Sequence, residues 1–193
     1  MRKTVIALAF AAISFASCNQ KTVTTEEITN EVEQQADTAK TEEVAKDTTV
    51  FAERALKQEF VGLDGKFINL EQILAQYKDK VVLIDVWAAW CPDCIKAVPT
   101  MQEIKKEFTD VVFLNLSLDK TQDSWKEAIK KHEIEGEHYF SMEGKGMKGD
   151  FGKALDLNWI PRYIVVGKDG KIALYNATEK NFEEIKELLN KIQ

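Results

Sequence analysis

VVLIDVWAAWCPDC, residues Val81 to Cys94, is the stretch that decides how this chain folds. Val81 to Trp87 is an apolar run broken only by Asp85, with the length and composition of a strand covered on both faces in the middle of a sheet. Two cysteines follow at once, in Trp90-Cys91-Pro92-Asp93-Cys94. From Cys94 onward Ile95, Val98, Met101, Ile104 and Phe108 recur every three or four residues, which makes one apolar face of a helix. The cysteine pair therefore stands where a buried strand gives way to a helix N-terminus.

That position points to redox chemistry. A disulfide closed over two intervening residues removes almost no entropy from the unfolded chain, so it is a poor structural staple. At a helix N-terminus the unpaired N–H groups and the dipole favour an anion, which lowers the pKa of the first cysteine and makes Cys91 the nucleophile. Cys94, one turn further along the same face, is placed to resolve the mixed disulfide. Pro92 fits the first helical turn, where its missing N–H costs nothing. A zinc site would need more soft ligands than His132 and His138, the only histidines, and these two read as surface or core residues. No metal ligand is assigned. A peroxiredoxin-like peroxidase would want a threonine three residues before the attacking cysteine, where Ala88 stands.

Outward from this segment, Gln58–Val61 and Lys66–Leu70 flank Gly62-Leu63-Asp64-Gly65, a hairpin signal, and Glu71–Tyr77 predicts a short helix. Val111–Leu118 predicts a second strand, and Gln122–His132 a helix with Trp125, Ala128 and Ile129 inward. Tyr163–Val166 and Ile172–Tyr175 bracket Gly167-Lys168-Asp169-Gly170, a second hairpin, and Phe182–Ile192 closes the chain as an amphipathic helix. Pro99, inside the helix that starts at the cysteines, predicts a kink if that helix continues. Strand, helix, strand, helix, hairpin and helix in turn make an α/β sandwich.

Of 193 residues, 1–17 read as a signal peptide: Arg2 and Lys3 precede the apolar run Val5–Phe15, which is far shorter than a membrane span. Phe15-Ala16-Ser17-Cys18 resembles a lipoprotein signal with Cys18 as the lipidated residue; ordinary cleavage after Ala16 is the alternative. Residues 19–50 hold eight acids against three lysines, with no Gly, Pro or aromatic residue, and cannot bury enough surface to offset their ordering entropy. Residues 18–50 are therefore read as a lipidated cysteine with an acidic tether, and 51–193 as one domain. Lys and Arg number 26 against 32 Asp and Glu, and no basic block occurs, so nucleic acid is not an expected partner.

The Val81–Cys94 segment resembles the thioredoxin active-site segment, and the likeness extends over most of residues 56–193. It is closest to the extracytoplasmic TlpA/ResA-like branch, through the hairpin DGKFINL, the extra helix and loop between Val111 and Asn158, and Ile160-Pro161 before the last hairpin. The resemblance implies a thioredoxin fold, a central mixed sheet with helices on both faces, an N-terminal hairpin and an inserted helix, with Cys91 attacking, Cys94 resolving and Ile160-Pro161 as a cis-proline loop facing them. It also implies that Asp85, a carboxylate in an otherwise apolar strand, moves the proton of the resolving cysteine, its pKa raised by desolvation. Trp90, Pro92, Asp93, Ile160, Pro161 and Arg162 are the expected substrate-binding residues; Arg162 stands where the family commonly has threonine.

The expected function is that of a monomeric, membrane-anchored thiol-disulfide oxidoreductase acting on cysteine pairs of exported proteins, recharged by a membrane or periplasmic electron donor, with no cofactor. Asp93, between the cysteines, opposes a thiolate at Cys91 and favours the reducing direction, an effect that Arg162 on the facing loop would blunt by neutralising it. Two rival readings are a module that holds copper(I) through the thiols, and a non-catalytic thioredoxin-like adaptor.

Overall fold

A computed structural model of the protein describes residues 47–193. The signal segment, Cys18 and the tether up to residue 46 lie outside the described residues. Along the chain come α1 (Glu53–Leu56), β1 (Glu59–Gly62), β2 (Phe67–Asn69), α2 (Leu70–Gln76), β3 (Val82–Trp87), α3 (Pro92–Glu107) and β4 (Val112–Ser117). They are followed by α4 (Gln122–Lys131), β5 (Glu137–Ser141), a 3-10 turn (Gly146–Lys148), α5 (Asp150–Ala154), β6 (Arg162–Val166), β7 (Ile172–Ala177) and α6 (Phe182–Ile192).

The strands form one seven-stranded mixed sheet in the order β2-β1-β5-β4-β3-β6-β7. β3 runs parallel to β4 and antiparallel to β6, and β4 runs parallel to β5. Interior position explains the composition of β3: Val82, Ile84 and Val86 feed one core and Leu83 the other. The first core takes Leu70 and Ile73 from α2, Trp125 and Ala128 from α4, and Phe151 and Ala154 from α5. The second takes Met101 and Ile104 from α3, Phe108 just beyond it, and Ile185 and Leu189 from α6. Helices thus cover both faces of the sheet.

Local rules account for several boundaries. The Asn69 side chain accepts the Gln72 N–H while the Gln72 side chain accepts the Asn69 N–H, a capping box that starts α2. Thr121 caps α4 in the same way through the Ser124 N–H. α3 continues through Pro99 to Glu107, so the Ile95 carbonyl lacks its ladder donor there. Its inner face is Cys94, Ala97, Met101 and Ile104, with Ile95 and Val98 only half-buried, so the small Ala97 replaces two of the expected anchors.

Between Val111 and Asn158 the sequence reading expects a helix and a loop; the structure adds β5 and α5. β5 pairs with both β4 and β1, and so joins the N-terminal hairpin to the main sheet. Gly136, just before it, has φ 122°, a conformation open to glycine and strained for other residues. Gly152 in α5 meets the backbone of Met147 so closely that a Cβ would clash with it, which lets the 3-10 turn pack on α5. At the other end of the domain the Ile172 N–H donates to the Thr49 carbonyl at 2.8 Å, which ties residue 49 to the start of β7.

Candidate active site

Cys91 is the N-cap of α3. Its sulfur accepts the Cys94 N–H at 3.2 Å, a donor that the first helical turn leaves open, and its carbonyl accepts the Ile95 N–H at 3.2 Å as the first bond of the helix. Pro92 occupies the first turn and is exposed. Cys91 and Cys94 are joined as a disulfide with Cα atoms 5.3 Å apart. Both cysteines are nearly covered, at 5% and 4% exposure.

The segment before β6 covers them. The Ile160–Pro161 peptide is cis, and the Ile160 carbonyl oxygen lies 3.4 Å from the Cys91 sulfur. Trp90 and Trp159 are each 50% exposed, one beside the disulfide in sequence and the other beside Ile160. Trp159 escaped the sequence reading; an aromatic residue next to the Ile-Pro pair was the available signal. Asp93 is half-exposed, and its carboxylate lies 3.6 Å from the Lys96 ammonium one turn on.

Arg162 is placed differently from the sequence expectation. It is 2% exposed, and its Nη2 donates to the Asn158 side chain at 3.3 Å. Burial holds its pKa below the usual arginine value, against the nearby Tyr175 and Asp156. The Asp93 partner is thus Lys96, and Arg162 braces the stretch that carries Trp159 and Ile160.

Asp85 sits inside β3, level with Asn115 of β4 and Tyr163 of β6. Its Oδ1 has no hydrogen-bond partner, and burial alone pushes its carboxyl up to about 7. No cation offsets this. The Asn115 amide donates to the carbonyls of Glu135 and Glu137, and Lys105 pairs with Glu135 at 3.5 Å. Asp85 lines a narrow cleft under α3, with Val98, Met101 and Lys105, whose free volume of about 20 Å³ is room for one water.

Asp119, a buried acid, also escaped the sequence reading. Its oxygens accept the Ala89 N–H at 3.0 and 3.1 Å, two residues before Cys91. It closes β4 at the carboxyl end of parallel strands, where sites on such sheets gather, and that was the usable signal. His138 is buried with one ring nitrogen 2.9 Å from the Ile134 carbonyl. Among the described residues no group of three or more His, Cys, Asp or Glu is arranged to hold a metal ion.

The arrangement suits nucleophilic exchange at sulfur: a disulfide at a helix N-terminus, a carbonyl facing it, aromatic rims and a half-buried acid able to exchange protons near neutrality. Comparison with known proteins agrees with that chemistry. A family model described as thioredoxin-like matches residues 79–172. The chain is 28% identical over 132 residues to the thiol-disulfide oxidoreductase ResA of Bacillus thuringiensis subsp. konkukian, covering 67% of this chain and 71% of that one. A solution structure described as a thiol-disulfide oxidoreductase from Bacteroides vulgatus is 31% identical, with a TM-score of 0.56 over 71% of this chain and 89% of the other. A crystal structure from the same organism, described likewise, is 28% identical with a TM-score of 0.57 over 74% and 100%.

Proposed function

Because this chain belongs to the thioredoxin superfamily and is a ResA-like thiol-disulfide oxidoreductase, we propose that it works outside the cytosol as a reductant of cysteine pairs in other exported proteins. The observation that carries the reading is the Cys91 sulfur, held at the α3 N-terminus by the Cys94 N–H and facing the Ile160 carbonyl.

In the reduced protein the Cys91 thiolate attacks one sulfur of a substrate disulfide, and the other substrate sulfur leaves as a thiolate that takes a proton. The Cys94 thiol then gives its proton to Asp85 and attacks the Cys91 sulfur, releasing the second substrate thiolate. Two electrons have passed to the substrate and the protein is left as the Cys91–Cys94 disulfide. Asp85, poised at about 7, takes that proton and returns it through the cleft beneath α3. Trp90 and Trp159 form the apolar rim on which a substrate segment rests, and Pro92, Ile160 and Pro161 shape the approach to Cys91. Asp93 with Lys96 lies at its edge, and Arg162 positions the Trp159–Ile160 stretch from behind.

The leader through residue 17 directs export, Cys18 carries the lipid, and the acidic stretch holds the domain away from the membrane. No described helix is long and apolar enough to cross a membrane. A membrane or periplasmic dithiol donor returns the pair to its reduced state.

Residues 47–193, a cut that keeps the Thr49–Ile172 bond, are expected to reduce insulin-type disulfides catalytically with a dithiol as electron source, at a rate unchanged by a metal chelator. A folded domain with no turnover would support the adaptor reading, and loss of turnover on chelation would support the metal-binding one.

A further inference from the structure

Asp119 is 1% exposed and carries a hydrogen-bond network of fixed polarity. The Ser117 hydroxyl accepts the Asp119 N–H at 3.1 Å and donates its own hydrogen to Asp119 Oδ2 at 2.8 Å. The Ala89 N–H points at both carboxylate oxygens. Both the Ser117 hydroxyl and the Ala89 N–H point at the carboxylate, the arrangement that an acceptor-only, ionised carboxylate requires. Burial holds its pKa above the usual aspartate value, and the Ala89 N–H and the Ser117 hydroxyl offset part of that rise. Among the described residues no ion pair joins it to a Lys or Arg, and Lys120 beside it in the chain and Lys145 and Lys148 around the 3-10 turn are exposed. That turn lies over the site, since a Cβ on Gly146 would come within 3.8 Å of the Trp90 ring.

We propose that Asp119 is the positioning residue that sets the reducing poise of the Cys91–Cys94 pair: its buried, unneutralised charge under the active-site loop opposes the Cys91 thiolate and so disfavours storage of the reduced form. The inference rests on the thiol-disulfide reading above. One residue, Trp90, separates Ala89 from Cys91, so the carboxylate lies within roughly 12 Å of the Cys91 sulfur. At that distance and an effective dielectric of about 20, one charge shifts the thiolate equilibrium by about tenfold. Asp93 is closer in sequence but weaker in effect, because it faces solvent and is paired with Lys96. The half-reaction balances as disulfide plus two electrons plus one proton giving one thiolate and one thiol, and a negative charge near that thiolate penalises only the product side.

The test equilibrates the full chain and its variants with glutathione and glutathione disulfide, where two glutathiones reduce the pair and leave as one disulfide. Asp119→Asn keeps an oxygen for the Ala89 N–H and removes the charge. It is expected to favour the reduced form about tenfold more than wild type, about 30 mV for this two-electron couple, with the Cys91 thiolate, followed by its ultraviolet absorbance, forming about one pH unit lower. Asp119→Ser, also uncharged with an acceptor oxygen, should move both readouts the same way if the Asn variant does not fold. Ser117→Ala, which removes a hydrogen bond and keeps the charge, and Asp93→Asn should move the equilibrium by less than a third as much. Wild-type equilibria in the folded Asp119 variants, or an equal shift in Ser117→Ala, overturn the proposal. A strongly oxidising wild-type protein would instead overturn the reductant reading, and the Asp119 shift would still be measurable.

Discussion

Cys91→Ser is expected to abolish disulfide exchange, while Cys94→Ser is expected to keep the first attack and accumulate covalent adducts with substrates. The asymmetry follows from the helix end. Cys91 is the N-cap, its sulfur takes the Cys94 N–H, and it faces the Ile160 carbonyl at the point where a substrate strand would approach. Cys94 sits inside the first turn and is reached by the Cys91 sulfur. Without Cys94 the mixed disulfide has no internal thiol to resolve it, so turnover falls by orders of magnitude and partners remain attached. Non-reducing gels of the two variants after exposure to exported proteins make the comparison, and adducts on Cys91→Ser in place of Cys94→Ser would reverse the roles.

Asp85→Asn is expected to make the domain more stable and the enzyme slower. Burial raises the folded-state pKa of Asp85 from 3.8 to about 7. Below pH 4 the group is protonated folded and unfolded, and it costs nothing. Between pH 4 and 7 the unfolded chain ionises it while the folded one holds the proton, so stability falls as pH rises. Above 7 the full penalty stands, on the order of 4 kcal/mol from three pH units. Asparagine removes that penalty, so the variant's advantage in denaturant titrations should grow from pH 4 to 7 and then level off. In the proposed mechanism the same change removes the proton acceptor for Cys94, so turnover at pH 7 should drop by a factor of roughly ten or more. The wild-type rate should show a titration near pH 7 that the variant lacks; identical profiles from pH 6 to 9 would remove Asp85 from the mechanism.

The parts of the fold that could be read in advance are those that local rules dictate. VVLIDVW has the unbroken apolarity of a strand with neighbours on both sides, and the moment of Phe182–Ile192 is strong enough that the helix occupies those residues. Both Asp-Gly hairpins follow from turn chemistry. The closeness of Cys91 and Cys94 follows from two-residue spacing at a helix start. β5 was hidden because Glu137-His138-Tyr139-Phe140-Ser141 is half polar, and what makes it a strand is its ladder to β4 and β1. α5 is five residues long, and its N–H groups at Asp150 and Phe151 are satisfied by Glu143, a partner seven and eight residues away. Arg162 and Asp119 illustrate the same limit at the site. An arginine at a strand start reads as exposed until Asn158 and the wall behind it are seen, and an acid beyond a strand reads as a loop residue until it meets the Ala89 N–H.

The reducing direction is tested most directly by the reduction potential of the Cys91–Cys94 pair, measured by equilibration with glutathione redox buffers at pH 7. A value nearer thioredoxin's roughly −270 mV than the roughly −120 mV of a strong periplasmic oxidant is the expected result. A potential above about −180 mV would contradict the account and make the protein an oxidant of its substrates.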